Sequence, residues 1–296
     1  MTEQLDLFRD SRAVGFVNEI VAALEARDAQ RATAALADLR SRAPEDANVP
    51  GLEFLTRALA QWRTPIADAQ AIAAAARRLD AEIAPAARRT LGAAGSGFVA
   101  GFFRELADAA LGLAYSAAQP TAHRAWLCLR AGAWEEADAA AASIPHAATT
   151  PDALHWLSCA RYRREGLAAA RSTLFSLAWH APERLATTFA DLDDELLERD
   201  WQRFCATREW TDIDETKLPA WFPAWYVIEH PITRTGLDYF NAPATKPAEA
   251  ARLLNHILEL ESRGDWRKLA LSRENLRNLN EDLFDHYMAR RWVHHR

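Results

Sequence analysis

One spacing recurs along this chain: Ala32-x3-Leu36-x2-Leu39-x4-Pro44 in the first fifth, and Ala170-x3-Leu174-x2-Leu177-x4-Pro182 past the middle. Between them, Ala137-x3-Ala141-x2-Ile144 repeats the apolar part without the proline. Residues at i, i+4 and i+7 lie on one face of an α-helix, so each copy predicts a helix with one apolar stripe, and the proline marks where it must stop. Each copy reads as the second helix of a hairpin whose small-residue face is buried against its neighbours. The pattern points to stacked α-helical hairpins, and no catalytic signature accompanies it.

Composition agrees. Half of the 296 residues are hydrophobic, alanine is far above ordinary usage, and β-branched runs are few, so an all-α chain is expected and no strand is read. The length allows one large domain or two smaller ones with a substantial core. Cys128, Cys159 and Cys205 are odd in number and never form a CxxC pair, which suggests neither a disulfide framework nor a zinc site; no cofactor is implied. The first ten residues are acidic where a secretory signal needs a basic start, and no run of eighteen apolar residues occurs. The expectation is a soluble cytoplasmic protein with no membrane contact. A net charge of −6 argues against nucleic acid as a partner, because phosphate neutralisation needs a basic surface. The charge is uneven: residues 183–215 hold eleven acids against four arginines.

Helices are expected over residues 11–27 with Ser11 as N-cap, 28–43, 48–62, and 66–79 opened by Pro65. After Pro85 the chain loosens into the glycine-rich stretch 92–101, and a helix resumes over 102–117. Residues 120–182 read as four helices with turns near Gly132, Pro145 and Gly166. Past Pro182, residues 185–208 carry the acidic excess on one or two helices, 218–241 are dense in aromatics and prolines, and helices follow over 247–263 and 266–290. In these last two, Leu253, Ile257 and Leu260 form one stripe, and Leu276, Leu279 and Leu283 another. Pro182 is taken as the seam between a helical-repeat region, 1–182, and a helical C-terminal region, 183–296, packed on it, although one continuous domain is the alternative.

The turn Leu129-Arg130-Ala131-Gly132-Ala133-Trp134-Glu135-Glu136-Ala137 resembles the inter-helix turn of the tetratricopeptide repeat family, with Arg263-Gly264-Asp265-Trp266 as another copy. Gly132 and Gly166 are separated by the repeat length of that family. Departures are plain: the Gly166 turn lacks the aromatic, Thr149 stands where a closing proline belongs, and Leu269 replaces the small residue of the last copy. The resemblance covers about a third of the chain and implies a divergent repeat or a general α-solenoid. It also implies that Arg130 and Arg163, at matching first-helix positions, line an inner groove and hold a peptide carboxylate, with Trp126 as apolar neighbour. Guanidinium groups bind carboxylates bidentately, which gives that role its chemistry.

Other constellations have competing structural readings. Gly92-x2-Gly95-x-Gly97 has neither a preceding strand nor a P-loop lysine, so a turn or a close helix contact is favoured over phosphate binding. Trp221, Phe222, Trp225, Tyr226, Tyr239 and Phe240 either line an apolar pocket with His230 in it or fill the core. Glu229-His230, His256, His286 and His294-His295 lack HExxH spacing and read as structural or surface histidines, so no metal is expected. Asp191, Asp193, Asp194, Glu195 and Glu198 lack a calcium-loop order and read as a solvated face. The basic end, residues 290–296, has an intramolecular partner available in the acidic stretch.

The function expected from the sequence is a non-enzymatic scaffold that binds a protein or peptide partner through a groove. The alternative is a small-molecule sensor or enzyme with a pocket at Trp221, Trp225, Tyr226 and His230. A homo-oligomeric structural component is the third reading, to be separated by mass in solution.

Overall fold

The computed structural model describes residues 3–64, 68–207, 216–231 and 242–294, with side chains described over 14–64, 68–207, 216–231 and 242–291. All regular elements among them are helices. The chain divides into two compact units, Met1–Ala137 and Asp138–Arg296.

The first unit begins with α1 (Glu3–Glu25), which starts upstream of Ser11, and α2 (Ala29–Arg42). These two pack as a hairpin. Arg27 makes the turn in the left-handed region (φ 57°), and Asp28 caps α2 by accepting from the Arg31 N–H at 2.9 Å. Then follow α3 (Val49–Gln61) and α4 (Ala69–Arg78), the latter capped by Asp68. The expected start at Pro65 and Ile66 lies outside the described residues. Next, α4 runs through a π-turn, Leu79–Ile83, into α5 (Ala84–Leu91). Pro85 explains the widened turn: a proline ring collides with the carbonyl four residues back, and the Ala84 N–H reaches Leu79 O, one residue further back than its α-helical partner at Asp80.

The glycine-rich stretch corrects the expectation. It belongs to α6 (Ala94–Ala109), and only Gly92 (φ 56°) turns the chain. A Cβ on Gly95 would stand 2.6 Å from Ala87 O, so the glycine lets α5 and α6 touch backbone to backbone. Phe98, Phe102 and Phe103 on α6 are fully buried, each worth about 1.5–3 kcal/mol of transfer free energy. The unit continues through α7 (Arg124–Arg130) and ends within α8 (Trp134–Ala142).

In the second unit α9 (Pro151–Glu165) and α10 (Leu167–His180) form a hairpin about Gly166 (φ 81°). Pro182 opens a 3-10 turn, Pro182–Arg184, and on either side of it α9 packs on α11 (Leu185–Leu192) and α10 on α13 (Phe222–Glu229). Between these lies α12 (Glu195–Ala206), and α13 is entered by a 3-10 turn, Leu218–Trp221. After it come α14 (Lys246–Arg263), α15 (Trp266–Leu279) and α16 (Glu281–His294). The helix expected over 266–290 is thus two helices. Asn280 is extended (φ −160°, ψ 111°), and its side chain caps α16 by accepting from the Leu283 N–H at 2.7 Å.

All three copies of the recurring stripe are buried: Ala32, Leu36 and Leu39; Ala137, Ala141 and Ile144; Ala170, Leu174 and Leu177. The packing of α2 on α1 and of α10 on α9 makes the helices at either end second members of hairpins. No described helix is long and apolar enough to cross a membrane.

Candidate functional site

Trp126 and Arg130 lie one turn apart on α7. Trp126 meets Phe103 edge-on, with ring centroids 5.6 Å apart, and the Arg130 guanidinium stands 5.2 Å from the Phe103 centroid and 5.9 Å from that of Trp126. Its charge is already matched by Asp80, in the π-turn, through an ion pair. Arg163 belongs to the second unit, on α9; it stacks 5.8 Å from the Tyr162 ring and donates to Asp191 O at 3.2 Å. A carboxylate using Arg130 therefore shares it with Asp80 or displaces it, whereas the hydrogen-bond partner of Arg163 among the described residues is a neutral carbonyl.

The aromatic stretch is interior. Trp221, Phe222, Trp225 and Tyr226 are all buried: Trp221 ends the 3-10 turn, and residues 222–228 of α13 carry apolar side chains all round. Phe222 touches Phe189, Trp201, Phe204, Trp225 and Tyr226 with centroids 5.2–5.8 Å apart, mostly edge-on or tilted, as ring quadrupoles prefer. Tyr239 and Phe240 lie outside the described residues.

Where this helix ends, titratable groups converge. Glu229, 5% exposed, accepts at Oε1 from His286 Nε2 (2.9 Å) and Arg290 Nε (2.6 Å), and at Oε2 from Arg203 Nη2 (2.7 Å). Burial pushes its carboxyl up, but the hydrogen bonds from His286 and Arg290, with the Arg290 charge, outweigh that and hold it at about 2. The next residue, His230, donates through Nε2 to Asp200 at 2.8 Å, and its ring lies 4.3 Å from that of Tyr226. Asp200 also stands 3.5 Å from Arg203, linking the two carboxylates into one network across α12, α13 and α16. Asp200 is buried and His230 is 32% exposed, so the imidazole is oriented from behind by a carboxylate while part of it faces solvent. That arrangement can hold or pass a proton.

A second carboxylate ties α16 down. Glu261 on α14 receives Arg273 at 2.9 Å, and the Tyr287 hydroxyl and Arg291 as well. The basic C-terminal residues Arg290 and Arg291 pair with Glu229 and Glu261; residues 208–215 of the acidic run and the side chains of 292–296 lie outside the described residues. Asp194 in that run is a helix cap, accepting from the N–H groups of Leu196 (2.9 Å) and Leu197 (3.0 Å) and from the Tyr162 hydroxyl (2.8 Å). His256 is exposed. Among the described residues no three His, Cys, Asp or Glu side chains are grouped as metal ligands. Burial pushes the thiols of Cys128 and Cys159 up to about 11 and about 12, which keeps them protonated and inert.

A cavity of about 450 Å³ opens between the α9–α10 hairpin and the loop before it. Ile144, Leu154 and Leu157 supply apolar walls, while His146, Arg161, Ser172 and Ser176 supply polar groups. The loop is built firmly. His146 is left-handed (φ 57°), and its carbonyl accepts from the backbone N–H and the hydroxyl of both Thr149 and Thr150, at 2.9–3.2 Å. Arg161 is held through Nε by Asp138 at 3.0 Å.

No family model matches the chain, and no curated protein or solved structure matches it. Sequence reasoning identified His230, Glu229 and His286 separately, but not Asp200 or Arg203 as their partners. It missed the cavity, whose only sequence signal is the unclosed loop 145–150, with Thr149 where the turn's proline was expected.

Proposed function

We propose that this protein is a non-enzymatic scaffold of stacked helix hairpins, of the tetratricopeptide-like kind, that binds a protein or peptide partner. The observation that carries the reading is the cavity beside the α9–α10 hairpin, whose apolar walls, arginine and hydroxyls suit a protruding side chain of another protein. Its rim is held before binding by hydrogen bonds from Thr149 and Thr150 to His146 O, which lowers the entropy lost on association. The test fills the cavity. The tagged protein and its Ala148→Trp variant are used to purify partners from native cells. A stoichiometric partner lost from the variant, whose melting is unchanged, supports the reading; a partner retained by the variant moves the interface elsewhere, and no partner with either protein overturns the scaffold role.

The pairing of His230 with Asp200 favours a second reading, a small-molecule sensor or enzyme using that imidazole. A ligand that raises the melting temperature of the wild type but not of His230→Gln would establish it.

A further inference from the structure

We propose that a second surface, the groove between α14 and α15, holds an extended peptide segment by its main chain, with Asn275 and Asn278 as the reading groups. The groove has a volume of about 620 Å³ and is lined by Glu249, Arg252 and Leu253 from α14 and by Asn275, Asn278 and Leu279 from α15. Leu253 and Leu279 are half-buried and form an apolar floor; the four polar residues are exposed and form the rim.

The polar groups are uncommitted where their neighbours are not. Asn280 caps α16, Arg277 pairs with Glu281, and Arg273 pairs with Glu261. Among the described residues Asn275 and Asn278 make no side-chain hydrogen bond, Glu249 has no ion pair, and Arg252 has one long bond, 3.4 Å to Pro243 O. Asparagine is a poor helix former, and Asn275 and Asn278 stand in the last two turns of α15 with no side-chain partner among the described residues.

The chemistry selects the occupant. A primary carboxamide carries a donor and an acceptor side by side, which complements the N–H and C=O that one residue of an extended chain points to the same edge. Three residues of helix rise about 4.5 Å, and an extended chain repeats that edge about every 6.8 Å, a difference that the side-chain torsions of two asparagines absorb. Glu249 and Arg252, one turn apart, offer opposite charges to a segment with a basic residue near one end and an acidic residue near the other. A nucleic-acid strand presents phosphates along its whole length, which Glu249 and the net charge of −6 oppose.

The probe is the end-blocked pentapeptide acetyl-Lys-Ala-Leu-Ala-Asp-amide with a fluorophore on the lysyl end, followed by anisotropy with the full chain. The expected result is saturable binding that falls about tenfold when both alanine nitrogens are methylated and about tenfold in Asn275→Leu/Asn278→Leu, with Ala148→Trp binding as the wild type does. Both asparagines are exposed, so the double variant keeps the melting temperature of the wild type. Equal binding of the methylated peptide, binding unchanged in the double variant, no saturable binding at millimolar protein, or displacement of the peptide by an oligoadenylate each overturns the proposal. Failure here leaves the cavity reading standing, because loss through Ala148→Trp is scored separately.

Discussion

In the first unit Glu105 accepts from Arg27 at 2.5 Å, Trp62 Nε1 at 2.8 Å and the Thr64 hydroxyl at 2.7 Å; in the second, Glu229 accepts from Arg203, His286 and Arg290. Both carboxylates tie together segments far apart in sequence. Glu105 is 38% exposed and takes one cation with two neutral donors, while Glu229 is 5% exposed and takes two arginines and a histidine. Removing water from a carboxylate costs free energy that neutral hydrogen bonds offset only in part, so the deeper group needs more positive charge around it. In both cases burial acts to raise the carboxyl and the donors overcome it. The difference teaches that one device, a shared acid between helices, is made with different donors according to depth.

The comparison can be broken most directly at the deep site. Glu229→Gln removes the acid that two arginines share, each of them more than 40% exposed and able to turn to water, and is expected to cost about 1–3 kcal/mol in urea unfolding; a loss under about 0.5 kcal/mol would place Glu229 with the surface pairs. Acid sharpens the same point. Because the folded Glu229 carboxyl is held at about 2, below its ordinary 4.5, its stabilisation is present above pH 4.5 and is lost as the pH falls towards 2. Unfolding at stepped pH should show the wild type losing on the order of 3 kcal/mol more than Glu229→Gln across that interval. The smallest effect belongs to the shallow site: Glu105→Gln keeps an acceptor for Trp62 or Thr64 and is expected to cost about 1 kcal/mol, read as a small fall in melting temperature. A loss as large as that of Glu229→Gln would show that depth does not set the strength of the tie.

How much was legible follows from the range of each interaction. The alanine and leucine stripes were read correctly because a helix face is defined within seven residues, and all three copies are buried. In the glycine stretch the close helix contact was foreseen, and Gly95 makes it, since an added Cβ would meet Ala87 O; the helix start was placed too late, at 102 instead of Ala94, because glycines look like breakers until α5 is set against them. Asn280 was missed as a break because leucines at 276, 279 and 283 keep helical spacing across it, although 276 and 283 belong to different helices. The aromatic stretch left packing and pocket open; Trp221, Phe222, Trp225 and Tyr226 are buried, and Phe222 packs on Phe189, Trp201 and Phe204 from other helices, partners that no local pattern names.

Local rules sufficed for the helical class, for the three buried stripes and for turns at Gly132 and Gly166, where the structure has φ of 71° and 81°, since backbone sterics and a 3.6-residue period act within a few residues. Only the tertiary structure decided that Glu229 would meet His286 and Arg290, 57 and 61 residues away, that His230 would face Asp200, and that a loop would close over a cavity beside α9 and α10. Hydrophobic period says which face turns inward. It does not say which acid and which base, once inside, are left beside one another, because that depends on how helices from distant parts of the chain are stacked.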